Sequence, residues 1–179
     1  MEALLQQLLN GLTLGSIYGL VALGLTLVYG ILHVPNFAHG ALYMVGAYVA
    51  YYVAGELGAS YWLAMIAAAV IVAGLAVACE RLVFHPLRNA PPIHDKIAAI
   101  GLLLFFEAVV QMYWGADFRR LDAPSHTIFH FAGLTLPAQR VLIIVAAFTL
   151  MGGLHLYLKK TLAGSTIIAM AQNREGAFL

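Results

Sequence analysis

Glu107 and Gln111 lie four residues apart inside Ile97–Trp114, a stretch that is otherwise apolar or aromatic. Positions i and i+4 share one face of a helix. A charge at the centre of a membrane helix costs roughly 2.5–3.5 kcal/mol on the insertion scale. An ionisable group there is therefore a functional-site candidate by default. Two roles suit the pair: lining a polar pathway, or locking a helix bundle by hydrogen bonding, whether to each other or to a neighbouring helix. Both turn the face inward, away from lipid.

The second polar constellation is His33-Val34-Pro35-Asn36-Phe37-Ala38-His39-Gly40. Pro35 removes a backbone donor and disfavours helix at Val34. Asn36 is a good N-cap for a helix starting at Phe37. A plain turn between two spans uses these signals. So does a broken helix, whose free N–H groups and positive dipole end would face a translocation path and an anionic substrate group. Asn36 and His39 are the candidates at this point.

Other groups do not converge. His126 and His130 have i, i+4 spacing in a loop, but no carboxylate joins them, and two ligands do not make a metal site. Ser16 lacks nucleophile-elbow spacing. His155 falls near the end of an apolar stretch, at an interface. Cys79 is the only cysteine, which excludes an internal disulfide framework and a cysteine-rich zinc site. No phosphate-binding Gly-rich motif with its Lys is present, so the chain is not expected to hydrolyse ATP. No nucleophile–base or metal constellation points to an enzyme, and no cofactor is expected. A secondary carrier would carry more paired intramembrane charges than the single Glu107.

The elements that must position these residues are membrane helices. The chain has 179 residues, 63% hydrophobic and 9% charged, with net charge +1 and mean hydropathy +0.89. A soluble domain carries about 25% charged residues, so this chain cannot cover a water-facing surface and its solvent is the lipid bilayer. The absence of a basic stripe excludes nucleic acid as a partner. The first cation is Arg81, and without a basic leader the N-terminus does not read as a signal peptide. About 20 apolar residues cross a bilayer. Five stretches qualify, at about 8–30, 37–54, 62–79, 97–114 and 141–158, which predicts an all-α, polytopic transmembrane bundle. Gly11, Gly15 and Gly19 recur every four residues, a small-residue face that lets helices pack closely in lipid. Arg81, Arg88, Lys96, Lys159, Lys160 and Arg174 fall on one side and Arg119, Arg120 and Arg140 on the other. The positive-inside rule puts the first set in the cytoplasm and the N-terminus outside. Tyr51, Tyr52, Tyr61, Trp62, Tyr113 and Trp114 then gather at the outer interface. Residues 162–179 read as an amphipathic cytoplasmic helix, with Ile167, Met170, Ala171 and Phe178 on its apolar side.

Several strings resemble the membrane permease subunit of branched-chain amino-acid ABC transporters. They are Leu12-Thr13-Leu14-Gly15-Ser16-Ile17-Tyr18-Gly19-Leu20, Val28-Tyr29-Gly30-Ile31, Asn36-Phe37-Ala38-His39-Gly40 and Met44-Val45-Gly46-Ala47-Tyr48. Glu80-Arg81 with Arg88, and Ala171-Gln172-Asn173-Arg174-Glu175-Gly176-Ala177, are similar too. The resemblance covers the whole chain. It implies an inner-membrane subunit working with a second related permease, two ATP-binding subunits and a periplasmic substrate-binding protein. It also implies that Ala171, Asn173, Arg174, Glu175 and Gly176 belong to a segment coupling the permease to its ATPase. Related permeases carry urea and short amides, which leaves a second substrate class open. Family members run on for about three further spans, so the chain reads as the N-terminal part of a permease.

Overall fold

The computed structural model describes residues 2–32, 36–88, 90–115, 117, 119–121, 128–131 and 134–172. The chain is an all-α polytopic membrane protein with one small hairpin. Its helices form two compact units, Met1–His33 with Ala123–Leu179, and Val34–Asp122.

In the first unit, α1 (Glu2–Leu32) packs along α6 (Ala138–Lys160), and α7 (Leu162–Gln172) folds back against both. Thr13 and Ser16, the buried polar residues of α1, donate their hydroxyls to the carbonyls of Leu9 and Leu12, at 2.9 and 2.7 Å. A hydroxyl bonded within its own helix leaves no unpaired donor in an apolar setting. Two strands, β1 (Ile128–Phe131) and β2 (Leu134–Pro137), pair antiparallel with Phe129 opposite Leu136. The sequence expectation here was a loop. Ile128-Phe129-His130-Phe131 is rich in strand formers, and Pro137 ends the ladder and precedes the first turn of α6. His130 therefore belongs to a strand, and His126 lies outside the described residues.

In the second unit, α2 (His39–Tyr51) continues into a π-helical turn (Tyr52–Glu56) and packs on α3 (Tyr61–Cys79) and α5 (Pro92–Trp114). Ser60 caps α3 by accepting from the Leu63 N–H at 3.3 Å. Helix α3 does not stop at Cys79. A π-helical turn (Glu80–Phe84) and the short α4 (His85–Leu87) extend it, so the helix runs past the end expected for the third span at about residue 79. Pro92 occupies the first position of α5, where its missing N–H costs nothing. Gly115 ends α5 at φ 77°, a conformation a side chain disfavours.

Among the described residues, four helices are long and apolar enough to cross a membrane: Ala3–Gly30, Tyr61–Leu87, Ile93–Trp114 and Ala138–Lys160. The stretch expected as the second span is not one of them. Helix α2 has 13 residues and its π-helical continuation five more, together about 25 Å at up to 1.5 Å per residue, short of a ~30 Å hydrocarbon core. The turn after Asn36 delays its start, and Tyr43, Tyr48 and Tyr51 dilute its apolar character.

Candidate functional site

The start of α2 is built by Asn36. Its Oδ1 accepts from the Ala38 N–H at 3.1 Å and its backbone carbonyl accepts from the His39 N–H at 3.1 Å. The helix consequently begins at His39, two residues later than the Phe37 start expected from sequence. Asn36 satisfies donors that a half-helix end would otherwise offer to a ligand. Asn36 and His39 are both half-buried.

The depth of this turn follows from the packing. Ala41 and Leu42, in the first turns of α2, form a buried cluster with Phe106, flanked by Leu75, Cys79, Leu102 and Leu103. The helix carrying Cys79 runs on to Leu87, and the helix carrying Leu102 starts back at Pro92. Each neighbour extends some 12–15 Å past the cluster, at 1.5 Å per residue. Asn36 and His39 thus lie alongside their neighbours' helices and not beyond their ends.

Glu107 and Gln111 share one face of α5, and that face is exposed. The buried face of α5, with Ala99, Phe106 and Val110, is a different one. Neither side chain has a hydrogen-bond partner among the described residues, so the Glu107–Gln111 bond considered from sequence is not formed. No bond links this pair to Asn36 or His39. Asp95, in the first turn of α5, has Oδ1 buried without a hydrogen bond among the described residues.

Three features of the first unit were not read from sequence. Arg140 Nη1 donates to Asn10 Oδ1, tying α6 to α1. Asn10, polar at the edge of an apolar stretch, was the available signal. A groove of about 390 Å³ runs between α1 and α6, lined by Leu23, Thr26, Leu27, Met151, Leu154 and His155, among others. Its polar members are Thr26, bonded to the Ala22 carbonyl, and the exposed His155. The α6–α7 corner is set by Thr161, whose hydroxyl donates to the Tyr157 carbonyl at 2.7 Å and accepts from the Gly164 N–H at 3.0 Å. A Cβ on Gly164 would press on the Tyr157 carbonyl and lie 2.5 Å from Leu158 Cα.

The glycines divide. A Cβ at Gly19 would meet Met151 Sδ at 3.9 Å, whereas Gly11 and Gly15 face open space. Gly46 sits against Val72 at 3.3 Å, and Gly30 against Ala171 Cβ at 3.9 Å. Ala171, assigned by resemblance to the coupling segment, is thus packed on α1. Asn173, Arg174, Glu175 and Gly176, like Phe178, lie outside the described residues. At the end of α5, Trp114 lies 5.4 Å from Tyr48 and 6.4 Å from Tyr52, ring centre to ring centre, so Tyr48 joins the aromatic group read from sequence. No cluster of three metal-ligating side chains occurs among the described residues.

Residues 7–179 match the sequence profile of the family described as branched-chain amino acid transport system / permease component. The chain belongs to this family. As a transport permease component, the family is not one of enzymes. Among its relatives, the chain is 34% identical over 94% of its length to the high-affinity branched-chain amino acid transport system permease protein BraD of Pseudomonas aeruginosa. It is 32% identical over 98% of its length to the corresponding permease protein LivH of Escherichia coli. A probable branched-chain amino acid transport permease protein of Methanocaldococcus jannaschii is 31% identical over 86% of the chain. The chain spans 59%, 61% and 50% of the lengths of these three relatives. No solved structure matches it.

Proposed function

We propose that the chain is permease sequence of an ABC importer that moves branched-chain amino acids across a bacterial inner membrane, with ATP hydrolysed on separate subunits. The observation that carries this reading is the family match over residues 7–179. The relatives' names favour branched-chain amino acids over urea or short amides. The working assembly adds a second related permease, two ATP-binding subunits and a periplasmic substrate-binding protein.

In this reading Asn36 and His39 line the translocation pathway, and Glu107 and Gln111 face away from lipid. Support comes from the depth of the Asn36 turn beside α3 and α5 and from the cost of leaving polar groups in hydrocarbon. The half-helix α2, with the residues before it, completes a fifth crossing. Gly11 and Gly15 pack against another helix. The segment Ala171–Gly176 couples to the ATPase by laying apolar side chains in a groove, with Arg174 and Glu175 at the rim.

The test is uptake of radiolabelled leucine by vesicles containing the whole transport system. An Asn36→Leu variant that still inserts should lose at least ten-fold in uptake. Unchanged uptake would remove Asn36 from the pathway, and competition by urea but not by isoleucine would reverse the substrate assignment.

A further inference from the structure

Two strings singled out in the sequence meet in the first unit. Gly30 belongs to Val28-Tyr29-Gly30-Ile31 in the last turns of α1, and Ala171 opens Ala171-Gln172-Asn173-Arg174-Glu175-Gly176-Ala177. A Cβ on Gly30 would lie 3.9 Å from Ala171 Cβ. Neighbouring contacts fix the direction of the helix that carries Ala171. Helices α1 and α6 run parallel, with Asn10 bonded to Arg140 and Gly19 against Met151. That register sets Gly30 level with the end of α6 at Lys160. Helix α7 leaves this level at Leu162 and is at it again at Ala171, so it crosses the pair and does not run back along α6. Its 11 residues cover about 16 Å.

Both ends of α7 are held. At the start, the Thr161 hydroxyl bonds in two directions, and Gly164 packs on the Tyr157–Leu158 backbone with no room for a Cβ. At the far end, Gly30 and Ala171 let two helices approach closely, the contact that joins helices in lipid. Gly30 is helical, with no left-handed backbone to require glycine, and glycine inside a helix is disfavoured against alanine. Close approach is what it supplies.

We propose that Gly30 is a positioning residue for the coupling segment. It seats Ala171, makes α7 a rigid strut across α1 and α6, and fixes the end of α1 as the point from which residues 172–176 emerge. A push on that segment then moves α1 and α6 as one body. A long side chain at Gly30 lifts the far end of α7 about the Thr161 corner and swings the segment away from its ATPase. The proposal rests on the reading of Ala171–Gly176 as the ATPase-coupling segment.

The experiment uses the full permease chain in vesicles holding its whole transport system, in a Cys79→Ala background, with insertion measured for every variant. The photoreactive residue benzoylphenylalanine at Glu175 should crosslink to an ATP-binding subunit. Gly30→Leu should lower that adduct at least five-fold and raise the ATP hydrolysed per leucine taken up at least three-fold. Gly30→Ala, whose methyl group fits, should keep both. No adduct from position 175 in the parent would remove the coupling reading and this proposal with it. A parental adduct that persists in Gly30→Leu would overturn the seat alone. A second arm joins the two positions covalently. Disulfides form at Cβ separations of about 3.5–4.5 Å, so Gly30→Cys with Ala171→Cys should close under mild oxidant. Oxidised and reduced forms should take up leucine alike. Failure to form the disulfide would mean that the contact is absent, and uptake lost on oxidation and restored by reductant would mean that it opens; either result overturns the strut. This arm decides by itself where Gly30→Leu does not insert.

Discussion

Gly164 and the Asn10–Arg140 pair show what single side chains do here. Gly164→Ala forces a methyl group into the backbone of the preceding turn, and overpacking of this kind costs about 1–3 kcal/mol. Thermal unfolding in detergent should show that loss for Gly164→Ala and none for Gly152→Ala, where nothing lies within 4 Å of the added carbon. A hydrogen bond from a charged donor contributes about 1.5–3 kcal/mol. Asn10→Ala and Arg140→Ala should therefore each destabilise the chain, and the double variant should lose much less than their sum. Equal and additive losses would mean that the bond does not join the two helices. Glu107 and Gln111 were legible in the sequence because a carboxyl in an apolar run is conspicuous against its neighbours. Arg140 was not, because its meaning depends on Asn10, 130 positions away, and sequence pattern reports only near neighbours.

The helices themselves were legible because apolar length is a local property. Their ends were less so. The fourth span was expected from about residue 97, yet Pro92 already opens α5. Glu80 and Arg81 lie beyond the expected end of the third span, yet a π-helical turn carries the helix through them. Hydrogen bonds to the fifth residue hold one more residue per turn than α-helical bonds to the fourth. Deleting Leu82, whose side chain is 77% exposed, should restore α-helical bonding there and leave the packing of Val72 and Leu75 undisturbed. Circular dichroism and membrane insertion of the deletion variant should match the parent. Deleting Val72 instead rotates every following residue of α3 by about 100° and should abolish the packed fold. The hairpin at Ile128–Pro137 escaped detection because its strands are four residues long, too short for an alternating pattern to stand out in an apolar chain.

For the whole molecule, Arg81, Arg88 and Lys96 lie at and between the adjoining ends of two consecutive long apolar helices, and by the positive-inside rule we propose that this side is cytoplasmic. A cysteine at Ala90, in a Cys79→Ala background, should resist an impermeant maleimide added to intact cells and react after lysis. Labelling in intact cells would invert the proposed topology. Membership of the family was readable from short strings, but the pairing of the first helix with the sixth was not. That pairing fixes an order of events. Residues 1–33 and 123–179 make one unit and the chain between them makes the other, so α1 is synthesised long before the helix it packs against. At ~5–20 residues per second, the ribosome needs on the order of ten seconds to deliver α6. During that wait α1 stands in the bilayer without its neighbour. Its buried hydroxyls, Thr13 and Ser16, are already served by their own helix, so the first span can be released into lipid as a finished part. Asn10, by contrast, must wait for Arg140.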